Sequence, residues 1–91
     1  MDIIYVDDRI PLRHPEIQKP DVIYAWRNSV RSCPRLEKNL DEYLAIGVDK
    51  KGRFLEMVGN KDFYGDWLVY HAVTPPTENA LRELAMGRKK R

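Results

Sequence analysis

The chain has 91 residues, of which 43% are hydrophobic and 33% are charged. This length and balance fit one folded domain without a deep internal cavity and exclude a disordered chain. We therefore predict a single domain over residues 1–91, with a lead-in segment at 1–12 and a basic tail at 88–91. The net charge is +2, but residues 1–87 alone contain 12 basic and 14 acidic side chains and have a net charge of −2. The body of the domain thus lacks the strong positive charge of a typical nucleic-acid binder.

Cysteine and histidine are too scarce for a disulfide or for a Cys/His zinc site. Cys33 is the one cysteine, and His14 and His71 are the two histidines, whereas a disulfide needs two thiols and such a zinc site needs four ligands. We predict no metal and no other cofactor. No apolar run approaches the ~20 residues that span a bilayer, and the acidic residues 1–8 are unlike a signal peptide. We expect a cytoplasmic protein without membrane contact.

The first half of the chain predicts one helix. The apolar run at residues 3–6 fits either an edge strand or a segment packed on the core, and Pro11 and Pro15 exclude a long helix there. Pro20 and Asp21 are typical of a helix start, and apolar residues then recur at helical spacing. We predict an amphipathic helix over about residues 19–31, ended by Pro34.

The second half predicts an antiparallel sheet followed by a short helix. Strands are expected at Glu42–Val48, at 53–58 and at 66–73, with Gly52 in the first turn and residues 59–65 in the second connection. Residues 78–86 are typical of a short helix that Gly87 ends. The predicted fold class is α+β, with an N-terminal helix packed on a three- to four-stranded antiparallel sheet and a short C-terminal helix.

The predicted strands carry side chains that could cut RNA without a metal. Such cleavage needs a base for the ribose 2′-OH, a cation for the phosphate and an acid for the leaving 5′-oxygen. His71 can be acid or base, Glu56 can be the base if desolvation raises its pKa, and Arg53 can bind phosphate through its fork. His14 is either a structural residue or a second catalytic imidazole. Each of the four also has an ordinary structural interpretation as a paired or solvated side chain.

Side chains alternate between the two faces of a strand, so the sequence shows which residues of one strand share a face. It places Glu56 with Val58 on one face of the second strand, and His71 with Val69 on one face of the third. The register between strands is not determined by the sequence. Whether Arg53 or Glu56 lies beside His71 therefore stays open.

Basic and aromatic side chains near the turns form a candidate RNA-binding surface. Lys51 and Lys61 are flanking point charges, and Trp67 can either stack on a base or pack in the core. Four basic residues would form a stripe along a continuous helix, although Pro34 interrupts it: Arg27, Arg31, Arg35 and Lys38.

The order of these segments resembles the BrnT-type toxins of bacterial toxin–antitoxin pairs. In that family a basic–histidine pair precedes the first helix, as Arg13-His14 does here. A strand ending in Ile-Gly is then followed by a Gly-Arg turn and an apolar strand, as at Ile46-Gly47 and Gly52-Arg53. The resemblance covers roughly residues 13–84 and depends on order and spacing rather than on one specific motif.

This resemblance implies a RelE-like fold, cleavage of mRNA on or off the ribosome, growth arrest, and neutralisation by a partner antitoxin protein. Arg53 matches the arginine of the family's turn, and His14 matches the histidine before its helix. His71 stands where the family has serine, and Val73 stands where it has arginine, so that arginine has no counterpart here. The alternative is a non-catalytic module that binds RNA or a protein through the sheet surface.

Overall fold

The computed structural model describes residues 2–35 and 41–85, which form one five-stranded mixed sheet with helices on both faces. The strands are β1 (Ile4–Val6), β2 (Ser29–Pro34), β3 (Glu42–Val48), β4 (Phe54–Lys61) and β5 (Trp67–Val73). The helices are α1 (Arg9–Arg13), α2 (Lys19–Arg27) and α3 (Glu78–Glu83). The strands lie in the order β1-β5-β4-β3-β2, and neighbours are antiparallel except for the parallel pair β1 and β5.

The α+β class is confirmed, but the predicted sheet of three to four antiparallel strands is wrong. One additional strand is β1, which pairs with β5 in parallel and forms one edge of the sheet. Of the two interpretations of the lead-in segment, the edge strand is therefore right. The other additional strand is β2, which pairs with β3 and forms the opposite edge.

The predicted helix over residues 19–31 is too long, because α2 ends at Arg27. Two short polar side chains after it bond to backbone carbonyls of its last turn. The Asn28 amide donates to the Tyr24 carbonyl at 2.8 Å, and the Ser29 hydroxyl donates to the Trp26 carbonyl at 2.6 Å. Such bonds compete with the helical ladder and end the helix, which frees the next residues to pair as β2.

The helix α2 packs closely on one face of the sheet. Val22 and Ala25 are fully buried there, in a cluster that also contains Leu55 and Met57 of β4. A Cβ atom added to Gly47 would lie 1.9 Å from the Ala25 carbonyl oxygen. The approach of α2 to β3 therefore requires a residue without a side chain at this position.

The helix α3 covers part of the opposite face. Ala80 and Leu84 pack there on Leu44, Ile46 and Val58 of the central strands. The predicted start of this helix at residue 78 is confirmed, but the predicted end at residue 86 is too late, because α3 ends at Glu83 and residues 84–85 form a turn in which Ala85 has a φ of 58°. The predicted stop at Gly87 lies outside the described residues.

The other predicted bounds hold to within a few residues. β3 has the predicted bounds, β5 begins one residue later than expected, and β4 continues to Lys61 because residues 59–61 still pair with neighbouring strands. Arg31 lies in β2, so the basic stripe does not lie on one helix. Its last member, Lys38, and the basic tail at 88–91 lie outside the described residues. Within residues 2–35 and 41–85, the helices are all too short and too polar to cross a membrane.

Candidate functional site

A β-bulge in β5 determines which side chains face α3. Val58 pairs with His71 and Gly59 pairs with Val69, so Tyr70 is an extra residue in β5. Val69 packs in the α2 cluster, whereas Tyr70 packs against the α3 cluster. The prediction that Val69 and His71 share a face is therefore wrong, because a bulge shifts the alternation by one residue.

The bulge places His71 beside Glu56 on the α3 side. The Nε2 atom of His71 lies 2.8 Å from Oε2 of Glu56. The other carboxylate oxygen, Oε1, accepts hydrogen bonds of 2.8 Å from both the backbone N–H and the hydroxyl of Thr77. The Glu56 side chain is 10% exposed and the His71 side chain is 40% exposed. The carboxylate is thus held inside the fold while the imidazole it contacts reaches solvent.

The pKa of Glu56 lies below its ordinary value of 4.5. Burial by itself would raise this pKa, but the hydrogen bonds from Thr77 and His71 together outweigh it and favour the ionised form. The condition for Glu56 to act as the base, a raised pKa, is therefore not met. As a carboxylate, Glu56 is suited to orient the His71 ring through Nε2–H, which leaves Nδ1 as the hydrogen-bond acceptor.

His71 and Glu56 line an open groove of about 390 Å³ between the sheet and α3. Its described lining contains one guanidinium, that of Arg35, and three carboxylates, those of Glu42, Glu56 and Glu83. Tyr70 also lines the groove, where burial and a hydrogen bond to Glu42 raise its pKa to about 12. The phenol therefore keeps its proton across the physiological range.

Arg53 lies on the α2 side of the sheet, so of the two residues considered for the place beside His71 it is Glu56 that occupies it. Its Nε donates to Oδ2 of Asp49 at 2.8 Å, and its Nη2 lies 3.3 Å from Oδ2 of Asp21. Its Nη1 donates to the Glu16 carbonyl at 2.8 Å. These contacts join the β3–β4 turn to the start of α2 and leave Arg53 with a structural role.

Asp49 is the buried centre of this turn. Its side chain is 0% exposed, and its Oδ1 accepts the backbone N–H groups of Lys51 and Arg53 at 2.9 Å each. Burial would raise the pKa of Asp49, but the hydrogen bonds and charge of Arg53 outweigh it and lower the pKa below 3.8. Both the backbone N–H groups of the turn and the guanidinium of Arg53 therefore favour an ionised Asp49.

Two other candidates also lie near the start of α2. His14 ends α1, where its N–H donates to the Ile10 carbonyl, and its Nδ1 is 3.9 Å from Oε2 of Glu16. The Nζ of Lys51 lies 3.8 Å from Oδ2 of Asp21, and its side chain is 60% exposed. Neither residue lines the groove that contains His71.

The remaining RNA-binding candidates gather at the end of α2. The Trp67 ring packs against Trp26 and Tyr43, with centroid distances of 5.1 Å in both cases. The Nζ of Lys61 lies 5.7 Å from the centroid of the same ring. Arg27 donates to a backbone carbonyl near the N-terminus at 3.3 Å. Trp67 therefore packs on neighbouring rings in this structure. None of the three lines the groove that contains His71, and Trp67 and Arg27 line a second open groove.

Arg35, Tyr70 and Thr77 line the groove as well, and none of them is a catalytic candidate from the sequence. Arg35 belongs to the predicted helical stripe, and regular alternation puts Tyr70, the neighbour of His71, on the opposite face, which the bulge reverses. Thr77 had a local signal, because threonine before a predicted helix is a typical N-cap. Its hydroxyl accepts the Ala80 N–H at 3.2 Å, so one side chain both begins α3 and holds Glu56.

The lowered pKa of Glu56 predicts a stability difference that depends on pH. In the folded state the carboxylate stays ionised below its ordinary pKa of 4.5. The stability it adds is fully present above that value and is lost as the pH falls through the lower, folded-state pKa. Urea unfolding across this range should show the difference in unfolding free energy between wild type and Glu56→Gln shrinking below about pH 4.5. The exposed Glu78→Gln is the control, and a wild-type to Glu56→Gln difference that is constant from neutral to acid pH would contradict the prediction.

In residues 2–35 and 41–85, no three His, Cys, Asp or Glu side chains are grouped so that they could hold a metal ion.

Known proteins add no further information about this site. Comparison with protein-family models, with curated proteins and with solved structures found no match to the chain.

Proposed function

We propose that this chain is a metal-independent endoribonuclease in which His71 is the general base. The observation that supports this most is the 2.8 Å contact between the imidazole Nε2 and the buried Glu56 carboxylate, with the ring open to the groove. A carboxylate in this position fixes the tautomer and orientation of a catalytic histidine and stabilises the imidazolium that forms. Thr77 holds the carboxylate in turn.

The proposed reaction is an attack of the ribose 2′-oxygen on the adjacent phosphorus. Nδ1 of His71 removes the 2′-OH proton, the new P–O bond forms, and the bond to the 5′-oxygen breaks as water gives that oxygen a proton. The hydroxide that this water becomes then takes the proton from the imidazolium, which restores neutral His71. The products are a 2′,3′-cyclic phosphate and a 5′-hydroxyl. The cation that this reaction needs, assigned to Arg53 from the sequence, is supplied in the groove by Arg35.

We propose further that the protein is the toxin of a toxin–antitoxin pair and acts on mRNA in the cytoplasm. The order of segments over residues 13–84, which resembles BrnT-type toxins, supports this role. Under this proposal, cleavage arrests growth, and a partner antitoxin protein neutralises the activity.

Induced expression in a bacterial host tests the proposal. Wild type should arrest growth and leave mRNA fragments with 5′-hydroxyl ends, which a kinase can label, whereas His71→Asn should do neither. His14→Asn is the matched control, because it changes the chain's other histidine, which lies outside the groove. Healthy growth with intact RNA at verified expression of folded wild type would contradict the proposal. Growth arrest with intact RNA would reject RNA cleavage by this chain and keep its role as a toxin.

A protein-binding module is the second candidate, and the charge of the groove favours it. Three carboxylates and one guanidinium line the described part of the groove, which suits a lysine or arginine side chain of a partner better than a phosphate. This function predicts that the purified chain leaves RNA intact and binds a basic peptide. Replacing His71 would then change peptide affinity modestly, and replacing the carboxylates would change it most.

A further inference from the structure

The guanidinium of Arg35 meets two carboxylates through different edges. Nε and Nη2 donate to the two oxygens of Glu83 at 2.9 and 3.3 Å. Nη1 donates to Oε2 of Glu42 at 3.2 Å. The contact with Glu83 is thus bidentate, the geometry in which an arginine binds either a carboxylate or a phosphate.

We infer that Arg35 is the phosphate-binding residue of the groove and that Glu83 on α3 occupies its binding edge until substrate displaces it. The phosphodiester and Glu83 would then compete for the same pair of N–H donors. This inference rests on the proposed function, because it names the phosphate contact of that same groove. It makes the Glu83 side chain a gate whose charge sets the affinity for RNA.

Glu83 is the carboxylate that can leave, and Glu42 is the one that stays. The Glu83 side chain is 36% exposed, so it can turn into solvent without a shift of α3. The Glu42 side chain is 16% exposed and also accepts the hydroxyl of Tyr70. With Glu83 displaced, Glu42 still holds the Nη1 side of Arg35 and keeps the opposite edge aimed into the groove.

Binding of a short single-stranded DNA tests the gate apart from catalysis. Such a ligand has the phosphates of the substrate but lacks the 2′-OH that attacks, so it cannot be cleaved by the proposed reaction. Measured by fluorescence anisotropy at low ionic strength, Glu83→Gln should lower the dissociation constant about three- to fivefold, the size expected of a partly exposed ion pair. Glutamine keeps the shape of the side chain and removes its charge.

Two further variants separate the gate from a general effect of charge. Glu78→Gln removes the same charge from the same helix at an exposed position outside the groove, and it should change the dissociation constant less than about twofold. In an Arg35→Gln background, which has lost the cation for which phosphate and Glu83 compete, Glu83→Gln should bring almost no gain. Equal gains from Glu83→Gln and Glu78→Gln, or an undiminished gain in the Arg35→Gln background, would overturn the inference.

A second measurement serves if Glu83→Gln does not fold. Wild-type protein is titrated with the same DNA while the Nε–H resonance of Arg35 is followed by NMR. A shift that saturates with the ligand supports the inference, and an unchanged resonance at saturation overturns it. RNA cleavage by wild type with no gain from Glu83→Gln would reject the gate and keep the nuclease. If DNA binding follows the prediction but wild type does not cleave RNA, the gate is kept and the nuclease is rejected.

Discussion

Replacing His71 by asparagine should lower the rate of RNA cleavage by about 10²–10⁴-fold, the range expected when a general base is removed. Asparagine is shorter than histidine, so its amide does not reach as far as Nε2 did, but Glu56 keeps both hydrogen bonds from Thr77. The variant should therefore fold, and it cannot take up the proton of the 2′-OH. Cleavage of a short RNA by purified protein, with circular dichroism as the check of the fold, provides the measurement.

Glu56→Gln refines this prediction. If Glu56 orients His71, its loss should reduce cleavage by less than the loss of His71, and removing both should cost little more than removing His71 alone, because the two act as a unit. His14→Asn should cleave at the wild-type rate. Unchanged cleavage by folded His71→Asn would exclude the imidazole as the base.

Replacing Arg53 by alanine should reduce the free energy of unfolding by about 3 kcal/mol, the lower end of the range for removing one partner of a buried ion pair. The Asp49 carboxylate, 0% exposed, would lose its guanidinium, and the link from the turn to the start of α2 would be lost with it. Urea unfolding at neutral pH measures the effect. Folded Arg53→Ala should still cleave RNA, because Arg53 lies on the face opposite to the groove.

Lys51→Ala is the matched control for this prediction. It removes a neighbouring positive charge whose side chain is 60% exposed and 3.8 Å from Asp21, and it should change stability by less than about 1 kcal/mol. If Arg53→Ala kept wild-type stability and lost cleavage, Arg53 would belong to the chemistry and not to the fold.

Much of the fold followed from local patterns. The start of α2 at Pro20 and Asp21, the bounds of β3 and the start of α3 were predicted. A proline near a helix start, an apolar run that ends at a turn, and a rigid Pro-Pro break before a helical pattern all act over a few residues. The end of α2 was missed, since Val30 continues the helical spacing. Asn28 and Ser29 were the local signal against it, through their bonds to the preceding carbonyls.

The candidate site was predictable in part. His71 and Glu56 were selected by chemistry alone, and the structure brings them together. Arg53 was selected by the same reasoning and lies on the other face, where it contacts Asp49. Both the Glu56–His71 contact and the Arg53–Asp49 contact join charged or titratable side chains. Residue type alone therefore could not show which contact lies in the groove and which one stabilises the fold.

By itself, the sequence determined the α+β class, most of the element positions and the two residues at the centre of the candidate site. These depend on propensities and on side-chain chemistry, which are properties of short segments. Only the tertiary structure decided that β1 pairs with β5 in parallel, that Tyr70 is bulged and that Arg35 replaces Arg53 in the groove. Register and bulges depend on which strands meet and on what each face must bury, and one residue of shift moves every later side chain to the other face.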